Sequence, residues 1–594
     1  MAVFLLSALP KIWLAMQTFP LKTFSDEVAT IASAASLAGY DWSAVVSQAG
    51  YYGAGFYWIF APVFSMTDDP IILYRVLLVG CSLVQALIAP IAYYMLGHYF
   101  DIEEKWQRIL MALCCSYLVM TRATILFNEH ILILLVWISV LLLLKLQEYR
   151  EDKWKKRGYT FLLMGVFAYS MTIHTRMLTF WIALALLLAV YGIIEKRLLV
   201  SKSMLLLAGA GGYALSKKVV AFVQNALWNT ANGGGLRNAS VNVPLNHNFL
   251  SLRTWKAWIS IIIGQIQTVN LVTGGMAVLI LLFFVVFIAG WWKRFREKKE
   301  NTEDMYHLIV IFFCVCCTGM TIAAQSLTWL WGAQEGISHG YNSLDYGLKA
   351  YIYLRYFGLY TGPILMSGLV LIKKHWEKNR MVVLLAAPAS MFFYVCWMVL
   401  IQPFIFENRN TSEFICGLSL YYATDKVELR HYMIGMFFLL AVGAMLYWLI
   451  WKNRCTQMLV LLAIYLFAHY YLNGMGYEVN RQKRNWTTSN GGYYAVKEME
   501  KSVEVPKEIY CYDGSDKTDH QLYYPYQFYL NRYKIIPARK ETVDKIPKGQ
   551  LIFSDTKDEE ILLEQGYTCF VVDSNEYVYV DAENQEIFEY WKKR

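Results

Sequence analysis

The chain has 594 residues, of which 57% are hydrophobic and only 17% charged, with a mean hydropathy of +0.35. A soluble domain carries about 25% charge, so the composition excludes an ordinary water-soluble fold and points to a chain solvated by lipid. The formal net charge of +9 would suggest a nucleic-acid partner in a soluble protein; here the basic residues stand in short clusters between apolar runs, as orientation signals do, and no nucleic acid is implied.

Taken in chain order, apolar runs predict spanning helices near 2–19, 71–98, 108–127, 130–147, 159–174, 177–194, 204–222, 271–292, 306–326, 356–373, 381–403, 431–451 and 456–474. That makes about thirteen, each close to the roughly 20 apolar residues that cross a bilayer. The first run does not read as a signal peptide, since no basic region precedes it and no small-residue cleavage site follows. Stretches 27–39, 51–66 and 253–269 are amphipathic and are expected as helices lying in the membrane interface. Residues 232–235 read as a flexible glycine-rich loop. Past about residue 475 the pattern changes to short β-type runs at 508–512, 550–553, 568–572 and 577–580, with helical stretches at 491–502 and 558–565. This predicts a membrane domain over 1–475 and a small α/β domain over 476–594. Cys114, Cys115, Cys314, Cys316 and Cys317 lie in apolar runs and read as packed thiols. Cys511 and Cys569, in the polar tail, are candidates for a disulfide.

Five basic clusters set the orientation: Lys153 to Arg157, Lys196-Arg197, Lys293 to Arg296, Lys373-Lys374 with Lys378 and Arg380, and Lys452 with Arg454. With about thirteen spans and a cytoplasmic N-terminus all five fall on one side, and an excess of Lys and Arg marks that side as cytoplasmic. Loops 19–70, 223–270, 327–355 and 404–430 and the C-terminal α/β domain then share the extracytoplasmic face of the cell membrane. Long loops are where function concentrates.

The candidate site residues all belong to that face. Ser25-Asp26-Glu27 follows the first span. It reads either as a helix start, with Ser25 as N-cap and two acids at the positive end of the dipole, or as a general base able to deprotonate an acceptor hydroxyl or amine. Asn128-Glu129-His130 sits in a short turn where one polar residue would suffice. Glu129 could hold a divalent cation (Mg or Mn) or orient a phosphate contact, and His130 could be a ligand or donor. Arg176, after His174-Thr175, and Arg355, opening a late span, each either snorkel to the interface or offer a fork of donors to a phosphate. Lys11, in the outer half of the first span, is a further candidate phosphate contact. Glu335, His339 and Asp345 read as solvated loop residues. A soluble nucleotide-sugar site would call for a glycine-rich phosphate loop or a cytoplasmic globular domain, and the sequence offers neither.

On these residues the chain resembles the C-type (GT-C) glycosyltransferases that use lipid-linked donors, a group that includes protein O-mannosyltransferases and lipid A aminoarabinose transferases. The resemblance is carried by Phe24-Ser25-Asp26-Glu27 at the end of the first span, the loop Tyr51-Tyr52-Gly53-Ala54-Gly55-Phe56-Tyr57-Trp58 with Ala61-Pro62, Tyr74-Arg75, Glu129, Thr175-Arg176, Arg355-Tyr356 and the α/β tail. It is best over residues 1–200. It implies a polytopic α-helical membrane protein of GT-C architecture, a polyprenyl-phosphate sugar donor and an extracytoplasmic glycan, lipid or protein acceptor. It also implies Asp26 or Glu27 as base, with Glu129 beside the donor phosphate or a metal. The chain departs from the family pattern in having Asn-Glu-His in place of an acidic pair or lone Asp, and in its short first span. The rival class is a transporter or flippase of lipid-linked sugars, for which two related halves and mid-membrane charges would be expected; neither is apparent. A surface-polysaccharide polymerase or ligase is a third reading.

Overall fold

The structure, a computed structural model, describes all residues except 23, 54, 120–122, 229–247, 298–304, 339–353, 376–379, 402–442, 446–447, 453 and 515–521. The glycine-rich loop 232–235, the 404–430 loop, most of the 431–451 span, His339 and Asp345 therefore lie outside the described residues.

Apolar runs of the predicted kind fold as helices. Six among the described residues are long and apolar enough to cross a membrane: Pro70–His98, Glu129–Glu148, Thr175–Glu195, Lys202–Leu227, Met305–Thr328 and Cys455–Ser489. A seventh candidate is the pair Leu252–Val272 and Met276–Gly290, whose axes meet at 106°. The turn between them is made by Gly274 and Gly275, both at positive φ, a conformation open to glycine at no steric cost. The start of Pro70–His98 shows the local logic: Asp69 accepts from the Ile71 and Ile72 N–H groups and Pro70 takes the first helical position, where a missing N–H is harmless.

These six or seven are fewer than the expected thirteen or so, and the run at 108–127 shows one reason. Its helix, Lys105–Tyr117, holds 13 residues, about 20 Å of rise. The chain then leaves the helical path, and side chains take up its backbone groups. The Thr124 carbonyl accepts from Gln482 Nε2 at 2.5 Å, and the Leu126 N–H donates to Glu27 Oε2 at 3.0 Å. Irregular backbone at membrane depth is tolerated only where protein satisfies it in this way.

The helix Phe24–Leu37 is enclosed by protein over most of its length: Glu27 through Ala35 are buried. Its small Ala and Ser side chains let neighbours close over it, the turn Tyr57–Phe60 on one side and the helix Tyr523–Tyr529 on another.

The C-terminal region forms a five-stranded sheet. The strands are β1 (Glu508–Tyr512), β2 (Lys534–Ala538), β3 (Leu551–Ser554), β4 (Tyr567–Asp573) and β5 (Glu576–Asp581), in the order β2-β1-β3-β5-β4. β1 runs parallel to β2 and β3, while β5 is antiparallel to β3 and β4. The sequence pattern misses β2, whose Pro537 argues against a strand. Pro537 pairs with Cys511 at the sheet edge, the place where a strand tolerates proline. The expected Cys511–Cys569 disulfide is not formed, and both thiols are free. Cys511 in β1 and Cys569 in β4 stand three strand spacings apart, roughly 14 Å, whereas a disulfide needs Cα atoms within about 7 Å.

The sheet region docks on the segment between the helix Phe24–Leu37 and Pro70. Trp42 Nε1 donates to the Asn531 carbonyl at 3.0 Å, and Lys497 pairs with Asp68 at 2.8 Å.

Candidate active site

The helix Phe24–Leu37 starts one residue before Ser25, so Ser25 lies inside it and Asp26 and Glu27 occupy its first turn. Adjacent helical residues point about 100° apart, and the two acids meet different surroundings. Glu27 is fully buried. Its Oε1 accepts from the Lys22 N–H at 2.7 Å, and its Oε2 accepts from Tyr74 Oη at 2.6 Å and from the Leu126 N–H at 3.0 Å. Asp26 leans toward open space, its side chain 24% exposed, with Oδ2 accepting from Arg355 Nη1 at 2.7 Å. Tyr52 reaches Asp26 from the segment that follows the helix Ser43–Val46. Burial first, and then the Asp26 charge, push its phenol well above the ordinary range, so it stays a hydrogen-bond donor.

Arg355 continues the row. Its Nε donates to Glu129 Oε1 at 2.9 Å, and the same oxygen accepts from Arg176 Nη2 at 2.7 Å. Asp26, Arg355, Glu129 and Arg176 thus form one chain of ion pairs, built from four segments far apart in sequence. Aromatic faces hold the guanidinium groups: Arg355 stands 3.8 Å over Phe127 and Arg176 4.7 Å over Tyr356. His174 Nδ1 accepts from the Arg176 backbone N–H at 3.2 Å, which fixes the turn Thr175–Met177 that carries the arginine. The Arg176 Nε and Nη1 atoms are buried and have no hydrogen-bond partner among the described residues. These two donors are left for an anion, each on its own edge of the guanidinium, because Nη2, which would pair with either, is held by Glu129.

Close backbone packing shapes the same place. Gly53 has φ +78, and a Cβ there would run into the Ile173 carbonyl. Asn128 donates to the Tyr52 and Ile173 carbonyls and so ties the two loops together. An apolar groove of about 830 Å³ begins at Gly55 and Thr172 and runs between Leu37, Tyr169, Leu215 and Val219.

The other two predicted site residues are engaged elsewhere. His130 is buried, with Nε2 against the Ile125 carbonyl at 2.6 Å and Nδ1 against Gln85 Nε2 at 2.8 Å. Both ring nitrogens serve to hold the turn before Glu129. Lys11 is buried against Ser7 and Ser116, within the first helices. A divalent cation does not fit between the carboxylates, because the Arg355 guanidinium already bridges Asp26 and Glu129. No group of three metal-ligating side chains occurs among the described residues.

Sequence reasoning missed the supports. Lys22 pairs with Glu478, and Gln482 donates to Tyr74 Oη at 3.2 Å. Lys22 stands close enough to Asp26 in the sequence to have been noticed. Glu478 and Gln482 lie at the end of an apolar run with nothing local to mark them.

No protein-family model matches the sequence, and no curated protein matches it. Solved structures do. The crystal structure of ArnT from Cupriavidus metallidurans bound to undecaprenyl phosphate superposes with a TM-score of 0.55 at 11% identity, covering 97% of each chain. The apo crystal structure of the same protein gives 0.53 at 12% identity, again over 97% of each chain. The likeness shows the fold: over 97% of its length the chain is folded like that protein.

Proposed function

We propose that this protein is a membrane glycosyltransferase that moves a sugar from a polyprenyl-phosphate carrier to an extracytoplasmic glycan, lipid or protein. The observation that carries the reading is the row Asp26–Arg355–Glu129–Arg176, which sets a partly exposed carboxylate and two available guanidinium donors in one site. Support comes from the fold, shared with a protein crystallised with undecaprenyl phosphate, and from the apolar groove that starts beside the row and has room for an isoprenoid chain.

The chemistry follows from the charges. An acceptor hydroxyl or amine gives its proton to Asp26, and its lone pair attacks the anomeric carbon of the donor sugar. The bond from that carbon to the phosphate oxygen breaks. Polyprenyl phosphate leaves with the electron pair, and Arg176 takes up the added negative charge. The ion pair with Arg355 at 2.7 Å holds the Asp26 carboxylate in place. Glu129 accepts from both arginines on one oxygen and so fixes their spacing. In this reading the sheet region and the row share the outer face of the cell membrane.

The test uses purified protein in lipid, with undecaprenyl-phosphate-linked hexoses and pentoses as donors and a cell-envelope fraction as the source of glycan, lipid and protein acceptors, scored by release of undecaprenyl phosphate. A positioned base contributes about 10²–10⁴-fold, so Asp26→Asn is expected to lower turnover by that order. Full activity in Asp26→Asn, or turnover of a nucleotide sugar without lipid carrier, overturns the reading. Movement of the intact donor across vesicles without transfer would assign a flippase instead.

A further inference from the structure

Next to the helix start that carries Asp26, four stretches distant in sequence meet through buried and half-buried polar side chains. Lys22 and Glu478 form an ion pair at 2.5 Å, with side chains 0% and 2% exposed. Gln482 Nε2 donates to the Thr124 carbonyl at 2.5 Å and to Tyr74 Oη at 3.2 Å, and Tyr74 in turn donates to Glu27. Asn485 Nδ2 donates to the Leu21 and Lys22 carbonyls at 3.3 Å each. Residues 478, 482 and 485 follow the i, i+4, i+7 spacing of one helix face.

The helix that presents this face begins at Cys455, passes through a π-helical stretch at Gly474–Val479 and runs on to Ser489, next to the sheet region. A π-helical turn rotates the residues after it relative to those before, and such turns are frequent at functional sites. What this face grips is under strain. Leu21 is buried with φ +61, a left-handed backbone that a leucine keeps only when its surroundings hold it. The strained strap leads straight into the turn that carries Asp26.

We infer that Glu478 and Asn485, which clamp the strap at Leu21–Lys22, and Gln482, which holds Thr124 and the Tyr74 that donates to Glu27, are positioning residues that set the place of the Asp26 carboxylate against the donor. The inference rests on the reading of Asp26 as the base. It makes the last membrane helix part of the site's support and ties the sheet region to the base through one rigid element. A buried ion pair is not needed for such a helix to be stable, since packed apolar side chains serve as well or better. Two polar grips on a single strap, with a third on the Tyr74 that donates to Glu27, call for another reason, and precise placement of a reacting group is one, because a misplacement of about 1 Å costs on the order of 10²-fold in rate.

The experiment uses the full chain in lipid with the same undecaprenyl-phosphate-linked sugars. Two variants are made: Asn485→Ala, and Lys22→Met with Glu478→Met, which removes both charges and leaves neither buried alone. Positioning predicts that kcat per folded molecule falls about 10–100-fold while the donor KM stays within about twofold. In an Asp26→Asn background Asn485→Ala should lower kcat no further, because the clamp acts through that carboxylate. If the double variant does not fold, Asn485→Ala alone decides. Variants with wild-type kcat, or with only a lowered yield of folded protein, overturn the inference and leave the transferase reading intact, provided Asp26→Asn is inactive. Absence of release by the wild-type protein overturns the transferase reading and the inference with it.

Discussion

At the scale of single residues, Asp26 and Glu27 are neighbours on one helix turn with opposite employment. Glu27 spends both oxygens on the Lys22 N–H, the Leu126 N–H and Tyr74 Oη. A glutamine there has one acceptor oxygen, and its amide would face a donor. Glu27→Gln is therefore expected to cost about 1–3 kcal/mol of stability, seen as earlier thermal unfolding in detergent, and more than Asp26→Asn costs. Turnover should show the reverse order. Complete loss of turnover in Glu27→Gln at unchanged stability, with Asp26→Asn fully active, would exchange the two roles. Arg176 makes a third prediction. Arg176→Lys keeps the charge but loses the planar fork, so the donor KM should rise about tenfold, equivalent to about 1.4 kcal/mol. An unchanged donor KM would remove Arg176 from phosphate binding.

At the scale of elements, the C-terminal sheet and the helix Gly491–Met499 meet at a buried carboxylate. Glu576 in β5 accepts from the Gly492 N–H and from Tyr526 Oη, both at 2.7 Å. Burial pushes its carboxyl up to about 7, against these two hydrogen bonds, and the nearby Asp573 adds to the rise. A carboxyl raised in the folded state binds its proton more tightly there than in the unfolded chain. Its contribution to stability is complete below the unfolded pKa, about 4.3, and is lost as pH rises through about 7. Hydrogen-exchange protection factors of the helix Gly491–Met499 in the full-length protein should therefore fall between about pH 5 and pH 8. Glu576→Gln should flatten that profile, and a flat profile in the wild-type chain would contradict the account. The same sheet shows how an element escapes a sequence pattern. β2 carries Pro537 because it lies at the edge, and position in a sheet is not written in the strand's own residues.

At the scale of the whole molecule, the positive clusters and the polar tail make a prediction about sidedness. Protease added to intact cells should remove the chain beyond about residue 480, while the clusters at Lys153–Arg157 and Lys293–Arg296 stay protected, as the excess of Lys and Arg on the cytoplasmic side requires. A tail cleaved only after the membrane is breached would reverse the orientation. Length, composition and apolar periodicity determined by themselves that the chain is a helical membrane protein with a small α/β region after the last span, because lipid solvation and helix or strand burial act on neighbouring residues. The outer carboxylates and arginines were also legible one at a time, as polar groups too costly to leave at a membrane boundary without employment. Tertiary structure decided the rest. It joined Asp26, Arg355, Glu129 and Arg176 in one row, turned Glu27 inward, employed His130 and Lys11 elsewhere, ended the helix at Tyr117 so that Leu126 could reach Glu27, and set Glu478 and Asn485 against the strap at Leu21–Lys22 and Gln482 against Thr124 and Tyr74. Each of these depends on a partner distant in the chain, and a buried polar group's role is fixed by whichever partner satisfies it.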